Sequence, residues 1–304
     1  MNGPIVYLNG EFLPAPEATI NIYDLGVVMG ATFTELTRTF HHQLFRVEDH
    51  IARLQRSLKY GGFAVPLAAE EWLAVTRELA AHNSRLIEST QELAIVHFVT
   101  AGENRMYAGA AASGAPLQPT VCIHSFPLPF KAWQHFFIDG AHVVTPSIRH
   151  IPPQCLDPKT KNRSRLHWWV ADQQSRAVDP KATSLLLDLD GNITETSGAN
   201  FLIVKGRTIY SPTSRNILHG ISLQTVRELA AQLNFDWVEK DLQVYDVVNA
   251  DEAWLTTTPY CIAPCTRINT VPVGNGQIGP LFREILTAWN EKVGLDIEAQ
   301  ILNA

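Results

Sequence analysis

The stretch Ile193-Thr194-Glu195-Thr196-Ser197-Gly198-Ala199-Asn200-Phe201 places one carboxylate and several small residues between two candidate β-strands. Residues 183–189 upstream are mostly apolar and run into the turn Asp190-Gly191-Asn192, and residues 201–204 form the strand downstream. Considered alone, Glu195 would be a solvent-facing carboxylate at the end of a hairpin. The pattern predicts a sheet with a short polar turn at its edge.

Two of the eight lysines precede a helix that contains two tryptophans. Lys159 and Lys161 end an irregular basic segment, and Leu166, Trp169 and Val170 recur at helical spacing directly after it. Partial burial lowers the pKa of a lysine amine and favours Schiff-base chemistry. From this pattern alone, any of the eight lysines could equally be a solvated surface residue.

The rest of the chain mixes hairpins, strands and amphipathic helices. A hairpin is predicted at residues 5–13, because Asn9-Gly10 suits a two-residue turn. Other predicted strands are 32–40, 44–47, 92–99, 120–125, 141–144 and 252–257. Predicted helices are 48–60, 67–82, a helix ending at 234 with Ser222 as its N-cap, and 280–293 as the last helix. Pro127 and Pro129 indicate a linker at 126–134 between a smaller domain, 1–125, and a larger one, 135–304, so that the fold class is α/β or α+β.

Composition excludes several classes of protein. With 304 residues, 46% hydrophobic and 18% charged, the chain is typical of a globular protein with a substantial core. A formal net charge of −6 disfavours a nucleic-acid partner, and no apolar run is long enough for a membrane span. The N-terminus lacks a signal-peptide pattern, and four cysteines do not make a disulfide framework. The predicted compartment is the reducing cytoplasm.

Two short motifs resemble a dinucleotide site and a metal site, but the neighbouring sequence that such sites need is missing. Gly274-Asn275-Gly276-Gln277-Ile278-Gly279 matches a dinucleotide fingerprint, but only residues 294–304 follow the next helix, so we interpret it as a turn. Cys261 and Cys265 have no second Cys or His pair at ligand spacing, and Pro259 and Pro264 favour a loop there. No metal site is predicted.

Seven segments, in order along the chain, resemble the class IV (fold type IV) pyridoxal-phosphate aminotransferases. That family holds branched-chain aminotransferases, D-amino-acid aminotransferases, (R)-selective amine transaminases and aminodeoxychorismate lyases. The segments are Leu8-Asn9-Gly10; Asp24-Leu25-Gly26 with Gly30; Phe45-Arg46-Val47-Glu48-Asp49-His50-Ile51-Ala52-Arg53-Leu54; Lys161-Asn162-Arg163-Ser164-Arg165-Leu166; Ile193 to Phe201 as quoted above; Asn216-Ile217-Leu218-His219-Gly220-Ile221-Ser222; and Asp251-Glu252 with Thr256-Thr257-Thr258.

The resemblance implies a role for each chemical group. Lys161 resembles the lysine that holds pyridoxal 5'-phosphate covalently and later moves the substrate proton. Glu195 resembles the carboxylate that faces the pyridine nitrogen, and Arg53 the arginine that binds the phosphate. Considered alone, Arg53 would instead pair with Glu48 or Asp49 on a helix surface. The cradle implied for the cofactor consists of Ser197, Gly198, Ala199, Asn200, Ile221, Ser222, Thr257 and Thr258.

Substrate residues match no subgroup completely. Leu166 stands where branched-chain enzymes carry a tyrosine, although Arg38 stands where they have an arginine. Arg105-Met106-Tyr107 lacks the histidine of the D-amino-acid enzymes' Arg-x-His motif. For Arg38 and Arg105, a surface ion pair is as good an interpretation as carboxylate binding. The candidate substrate residues are Thr34, Arg38, Arg105 and Arg165.

The resemblance implies a two-domain homodimer with the cofactor between its domains and the loop at 101–119 directed toward the partner's site. The implied reaction is ping-pong transfer of an amino group between an amino acid, with branched-chain donors favoured, and a 2-oxo acid. An aminodeoxychorismate lyase, or a D-amino-acid or (R)-amine transaminase, is the alternative. A catalytically silent binding protein on the same scaffold is a third interpretation, disfavoured by the presence of Lys161, Glu195 and Arg53.

Overall fold

The computed structural model describes residues 2–107 and 117–304, and the chain divides into two units. Unit 1 comprises Met1–Leu128 and Thr160–Ser164, and unit 2 comprises Pro129–Lys159 and Arg165–Ala304. The predicted boundaries assigned residues 160–164 to the larger domain, and this assignment differs from the structure. The cause is a set of main-chain hydrogen bonds that tie Thr160–Ser164 to a strand of unit 1.

Unit 1 is a sheet with helices against one face. The strand order of its six-stranded sheet, as described, is β2-β1-β6-β5-β3-β4. The strands are β1 (Ile5–Leu8), β2 (Glu11–Pro14), β3 (Thr32–Phe40), β4 (Gln43–Leu44), β5 (Leu93–Thr100) and β6 (Val121–Pro127). The helices are α1 (Leu25–Met29), α2 (Val47–Gly61) and α3 (Ala69–Ser84). The core lies between the sheet and α2 and α3, where Ile51, Leu54 and Leu58 of α2 are buried, as their helical spacing predicts.

Unit 2 contains a sheet that closes on itself. The strands follow the order β12-β11-β10-β13-β14-β7-β8-β9, with β15 beside β14. They are β7 (Ala141–Val144), β8 (Thr183–Leu187), β9 (Ile193–Thr196), β10 (Asn200–Lys205), β11 (Thr208–Ser211), β12 (Asp236–Glu239), β13 (Glu252–Thr257), β14 (Cys261–Ile268) and β15 (Val271–Pro272). β9 pairs with β10 as well as β8, through Glu195 and Asn200, so these two residues close the ring of strands.

The helices of unit 2 cover this sheet. They are α4 (Gln134–Ile138), α5 (Leu166–Val178), α6 (Ile221–Gln232), α7 (Val244–Val248), α8 (Pro280–Val293) and α9 (Ile297–Leu302). A 3-10 helix, Phe130–Trp133, lies within the stretch expected to be a linker. Because α9 follows α8, the expectation that α8 is the last helix is wrong.

Several local predictions are corrected. Residues 44–47 do not form a full return strand, because β4 ends at Leu44 and α2 begins at Val47. Cys261–Ile268 is the strand β14 and not a loop. Pro264 is tolerated there because β14 pairs with β7 only from Cys265 onward, which leaves that edge unpaired at Pro264.

One helix prediction is corrected as well. Ser222 is not an N-cap, since the N-cap position of α6 is Gly220, which makes no side-chain cap hydrogen bond. On α5, Leu166, Trp169 and Val170 are exposed, while Trp168, Ala171 and Ser175 are buried. Both sets recur at helical spacing, so the pattern alone could not identify the buried face.

Candidate active site

Lys161 lies on a short segment bound to the beginning of β3. Thr34 N–H donates to the Lys161 carbonyl at 2.8 Å, and Arg163 N–H donates to the Thr32 carbonyl at 2.9 Å. On the other side, Lys161 N–H donates to Ser57 Oγ of α2 at 3.3 Å. The main chain at Lys161 is therefore fixed between β3 and α2, and its side chain is half-buried.

Arg53 belongs to a buried cluster of charged groups in the same unit. Its Nε and Nη2 donate to Glu35 Oε2 and Oε1 at 2.7 and 2.6 Å, and His50 Nδ1 lies 3.0 Å from Glu35 Oε1. Arg53 and His50 are one turn apart on α2, so both reach the same carboxylate on β3. The helix-surface pairing considered from the sequence is wrong, because Glu48 pairs with Arg77 and Asp49 with Arg46.

Burial and charge oppose each other in this cluster. Burial alone would raise the pKa of the Glu35 carboxyl, but the Arg53 guanidinium and His50 hold that pKa well below its usual range. Burial lowers the pKa of His50, Glu35 offsets part of this effect, and the charges of Arg53 and Lys161 lower it further. The amine of Lys161 is therefore close enough to the cluster to act on it electrostatically.

Glu195 is held by its neighbours in unit 2. Its Oε2 accepts hydrogen bonds from Asn200 Nδ2 at 3.0 Å and from Leu218 N–H at 3.1 Å. Its Oε1 lies 3.6 Å from His150 Nε2, and the Glu195 side chain is 13% exposed. One carboxylate oxygen is thus satisfied by amide donors, while the other faces an imidazole.

The turn after Glu195 is closed by its own side chains. Thr196 Oγ1 accepts from Ala199 N–H at 2.8 Å, and Thr196 N–H donates to the Ala199 carbonyl at 2.9 Å. Thr257 Oγ1 donates to the Gly198 carbonyl, and Arg165 Nη2 donates to the Ser197 carbonyl. These bonds connect the turn to β13 and to the start of α5.

An uncapped helix end and a buried hydroxyl lie beside this turn. Asn200 pairs with Thr256 across β10 and β13, and a Cβ on Gly220 would lie 2.1 Å from Asn200 Oδ1. Gly220 therefore brings the N-terminus of α6 close to Asn200. Thr256 is 1% exposed, and among the described residues its hydroxyl has no hydrogen-bond partner. Free N–H groups at a helix start suit an anion.

The four candidate substrate residues occupy different places. Thr34 and Arg38 lie on β3, and Arg38 is only 1% exposed, so a surface ion pair is wrong for it. Its Nε donates to the Thr39 carbonyl at 3.0 Å, and its guanidinium lies 4.0 Å from the Phe40 ring centre. Arg165 lies in unit 2, where burial lowers the pKa of its guanidinium.

Arg105, the fourth of these residues, is half-buried in a turn of unit 1. The loop at 101–119, which the resemblance directs toward a partner, is described only in part. Residues 108–116 lie outside the described residues. Thr34 and Arg38 lie on one strand of unit 1, and Arg165 belongs to unit 2.

Sequence reasoning missed four residues around these groups: Glu35, His50, Thr256 and His150. Glu35 alternates with Thr34 and Leu36 along β3, and His50 precedes Arg53 by three positions, so period-two and helical spacing could have paired them. Thr256 was quoted within a motif but given no role. His150 has no local signal, because its contact with Glu195 depends on the pairing of β8 with β9.

Metal-ligating clusters and membrane spans are both absent from the described part of the chain. The described residues contain no group of three or more side chains that could hold a metal ion, and no described helix is long and apolar enough to cross a membrane.

Among known families, the one described as "Amino-transferase class IV" matches residues 32–268 of this chain. That match covers Arg53, Lys161, Glu195, Ser222 and Thr257.

Relatives of known name match along nearly the whole chain. A putative branched-chain-amino-acid aminotransferase of Methanocaldococcus jannaschii is 29% identical over 298 residues, which cover 95% of this chain and 98% of that protein. A D-alanine aminotransferase of Bacillus licheniformis is 28% identical over 294 residues, which cover 95% of this chain and 96% of that protein.

Solved structures share the fold. A branched-chain aminotransferase of Thermoproteus uzoniensis with norvaline superposes with a TM-score of 0.84 at 25% identity, covering 96% of each chain. The T.th. branched-chain aminotransferase complexed with N-(5'-phosphopyridoxyl)-L-glutamate has a TM-score of 0.83 at 22% identity, covering 97% of this chain and 95% of that one. The mixed α/β fold expected from the seven segments is confirmed. This chain belongs to the class IV aminotransferase family.

Proposed function

We propose that this chain uses pyridoxal 5'-phosphate to exchange an amino group between an amino acid and a 2-oxo acid, with Lys161 as its catalytic lysine. The observation that carries the proposal is the fixed main chain at Lys161, which lies within electrostatic reach of the Arg53–Glu35–His50 cluster. An amine held in this way suits covalent attachment of an aldehyde cofactor.

Several side chains fit the chemistry of this cofactor. Its phosphate needs donors and positive charge, and the groups proposed for them are Arg53 and the uncapped start of α6. The unpartnered hydroxyl of Thr256, buried beside that helix end, would gain an acceptor from a phosphate oxygen. Its ring nitrogen needs an anion, which Glu195 would supply.

Glu35 is proposed to orient Arg53 for the phosphate. Nε and Nη2 of Arg53 both donate to Glu35, which would fix the plane of the guanidinium. Thr257, Thr258, Ser222 and Ile221 are the other proposed phosphate contacts, and Ser197, Gly198, Ala199 and Asn200 are proposed to line the ring.

Each proposed residue has a defined task in the reaction. When bound, the cofactor supplies an electron sink for the pair released at the substrate Cα. The amine of Lys161 would take the Cα proton as a base and, as an acid, would deliver a proton to the cofactor's C4′ carbon. Glu195 would hold the proton on the ring nitrogen. Arg53 would anchor the phosphate, so that the Cα proton stays in line with Lys161.

The proposed substrates are an amino donor, with branched-chain side chains favoured, and a 2-oxo acid acceptor, with Thr34, Arg38, Arg105 and Arg165 as candidate carboxylate contacts. The named relatives include both branched-chain and D-alanine aminotransferases, so a D-amino-acid donor is the second candidate. An (R)-amine transaminase and an aminodeoxychorismate lyase remain the alternatives. We also propose a homodimer and a cytoplasmic location.

The proposal is tested by the visible absorption spectrum of the cofactor-loaded protein before and after single L- and D-amino acids. We expect a band from the lysine-bound cofactor that is lost with one donor and restored by a 2-oxo acid. The donor that bleaches the band identifies the chirality. A band that no amino acid changes would favour the lyase or an amine donor, and the absence of any band would contradict the proposal.

Lys161→Ala tests the choice of lysine, and Lys159→Ala is its matched control. We expect Lys161→Ala to lose the covalent band and at least a thousandfold in turnover, roughly the contribution of a nucleophile and proton carrier. Lys159 is paired with Asp157 at 3.1 Å on the surface, and its alanine variant should keep both the band and the rate. The opposite pattern would show that Lys159 is the reactive residue.

A further inference from the structure

His150 is a buried histidine for which the proposed reaction has no use so far. The residue is 7% exposed, and its Nδ1 lies 2.9 Å from the carbonyl oxygen of Ile151. A carbonyl oxygen can only accept a hydrogen bond, so Nδ1 carries a hydrogen. The state of the other ring nitrogen, Nε2, then decides whether His150 is neutral or cationic.

Nε2 faces a carboxylate. It lies 3.6 Å from Oε1 of Glu195, the oxygen that the amide donors of Asn200 and Leu218 do not contact. In a neutral ring with its hydrogen on Nδ1, a lone pair of Nε2 would face a negative oxygen. A proton on Nε2 would replace this repulsion by attraction, so the charge of Glu195 and the proton on Nε2 act on each other.

The main chain fixes this contact from both sides. His150 N–H donates to the Leu187 carbonyl at 2.9 Å, and Leu187 pairs with Ile193 across β8 and β9. Glu195 is two residues further along β9. The main chain of His150 is therefore hydrogen-bonded to β8, the neighbour of the strand that carries Glu195.

The other titratable groups around His150 come from the start of α5. The rings of His167 and Trp168 pack edge-to-face on it, with centres 6.2 and 5.6 Å away. Burial, together with the charges of His150 and Arg165, lowers the pKa of His167 to about 4, so His167 is neutral at physiological pH. Arg165 adds a permanent positive charge that also acts on Glu195.

We propose that His150 is a positioning residue that acts through Glu195 and sets the pH at which the cofactor's ring nitrogen loses its proton. The inference rests on the proposed function, in which Glu195 faces that nitrogen. The ring nitrogen and His150 would then compete for the one carboxylate of Glu195. No covalent step is involved, only the distribution of protons among these groups.

The direction of the effect follows from charge. A cationic residue at position 150 neutralises part of the Glu195 charge and disfavours a proton on the ring nitrogen. A neutral residue leaves the full field of the carboxylate, so the ring nitrogen should keep its proton to higher pH. For one charge several Å away at an effective dielectric constant of about 20, the shift is about one pH unit.

The first test uses the protein without cofactor and so does not depend on the proposed reaction. The titration of the His150 ring is followed by NMR in the wild type and in Glu195→Gln, with His142 as the internal control because its carboxylate partner is Asp179. We expect the His150 midpoint to fall in Glu195→Gln, because the carboxylate beside Nε2 is lost, while the His142 midpoint is the same in both proteins. Equal midpoints for His150 in the two proteins would overturn the inference.

The second test reads the ring nitrogen directly. Pyridoxal 5'-phosphate labelled at that nitrogen is bound to the wild type, His150→Gln and His150→Lys, and the nitrogen shift is recorded against pH. We expect the deprotonation midpoint to be lowest in His150→Lys, intermediate in the wild type and highest in His150→Gln. A purely structural role would move both variants in the same direction from the wild type.

The two tests separate the possible failures. If the cofactor-free titration shows the coupling but the ring-nitrogen midpoint is the same in all three proteins, the inference is overturned at its second step. If the wild type takes up no cofactor at all, the proposed function fails together with the ring-nitrogen step. The cofactor-free titration then still decides whether His150 and Glu195 are coupled.

Discussion

Two Glu–Arg ion pairs of unit 1 have similar geometry but very different environments. Glu35 and Arg53 meet at 2.6 Å with side chains 0% and 5% exposed, whereas Glu48 and Arg77 meet at 2.7 Å with both side chains 59% exposed. Water screens the second pair but not the first. Removal of one partner of a buried pair leaves an uncompensated buried charge. Loss of one partner should therefore destabilise the protein more at the first pair than at the second.

We expect Glu35→Gln to lower the free energy of unfolding by about 3–5 kcal/mol, because Arg53 would stay buried without its counter-charge. The matched control, Glu48→Gln, should lower it by less than about 1 kcal/mol. Urea denaturation at neutral pH measures both. Equal effects would show that Arg53 finds another acceptor inside unit 1.

His97 makes the stability of unit 1 depend on pH. The residue is 0% exposed, its Nε2 lies 2.8 Å from Thr76 Oγ1, and burial lowers its pKa to about 4. Between the ordinary value of about 6.5 and about 4, the unfolded chain binds a proton that the folded chain does not. Folding is therefore favoured as pH rises through this window and disfavoured as it falls.

We expect His97 to account for a loss of about 3 kcal/mol in the free energy of unfolding between pH 6.5 and pH 4. His97→Gln should flatten that part of the stability profile relative to the wild type. Urea midpoints measured at half-unit intervals of pH provide the comparison. An unchanged slope in His97→Gln would contradict the assignment.

At the scale of elements, α5 carries two adjacent tryptophans with opposite environments. Trp168 is 7% exposed and packs with Ala171, Leu186 and Ile148, whereas Trp169 is 61% exposed. Consecutive residues on a helix point about 100° apart, so one ring enters the core and the next leaves it.

We expect Trp168→Ala to cost about 3–5 kcal/mol of unfolding free energy, because a large side chain leaves a cavity. Trp169→Ala should cost less than about 1 kcal/mol, as is usual for an exposed position. Chemical denaturation of both variants at several protein concentrations measures the difference. A large and concentration-dependent cost for Trp169→Ala would show that a second subunit covers this face of α5.

Periodicity predicted most elements, and the structure confirms β3, β7, β13 and α8 at the expected residues. The period does not identify which of two overlapping stripes is buried, as the two stripes of α5 show. It also carries no information about strand order, because pairing joins residues far apart in the chain. β10 and β13, for example, pair Asn200 with Thr256.

The sequence predicted the central residues of the candidate site but not the residues that contact them. Lys161, Glu195 and Arg53 were identified by the resemblance of whole segments, while their roles stay predictions. The partners of these residues were missed where they come from another strand or helix. Glu35 is 18 positions from Arg53 and His150 is 45 positions from Glu195. The packing of α2 on β3 brings the first two together, and the pairing of β8 with β9 brings the second two together.

At the scale of the molecule, the attachment of Lys161 to unit 1 depends on main-chain bonds of Thr160–Ser164. Arg163 N–H donates to the Thr32 carbonyl at 2.9 Å, and the Arg163 guanidinium lies 5.4 Å from the ring centre of Phe98. Proline at position 163 removes the donor, and alanine at the same position removes only the side-chain contact.

We therefore expect Arg163→Pro to reduce the fraction of protein that retains covalent cofactor after dialysis by at least tenfold, although Lys161 itself is intact. This is roughly the effect of losing one well-formed hydrogen bond, about 1.4 kcal/mol, at the attachment point. Arg163→Ala should retain nearly as much as the wild type. The visible band per mole of protein is the measurement, and equal retention in both variants would contradict the role given to the segment.

The division of the chain also affects how such a protein can change during evolution. The polypeptide passes between the two units at Leu128, at Lys159 and at Ser164, so unit 1 is completed by a piece encoded within the gene segment for unit 2. A gene fragment for residues 1–128 would carry the arginine and its carboxylate partner but not the lysine. Shuffling of contiguous exons could therefore not transfer unit 1 intact, and recombination between homologous genes would have to exchange both pieces together.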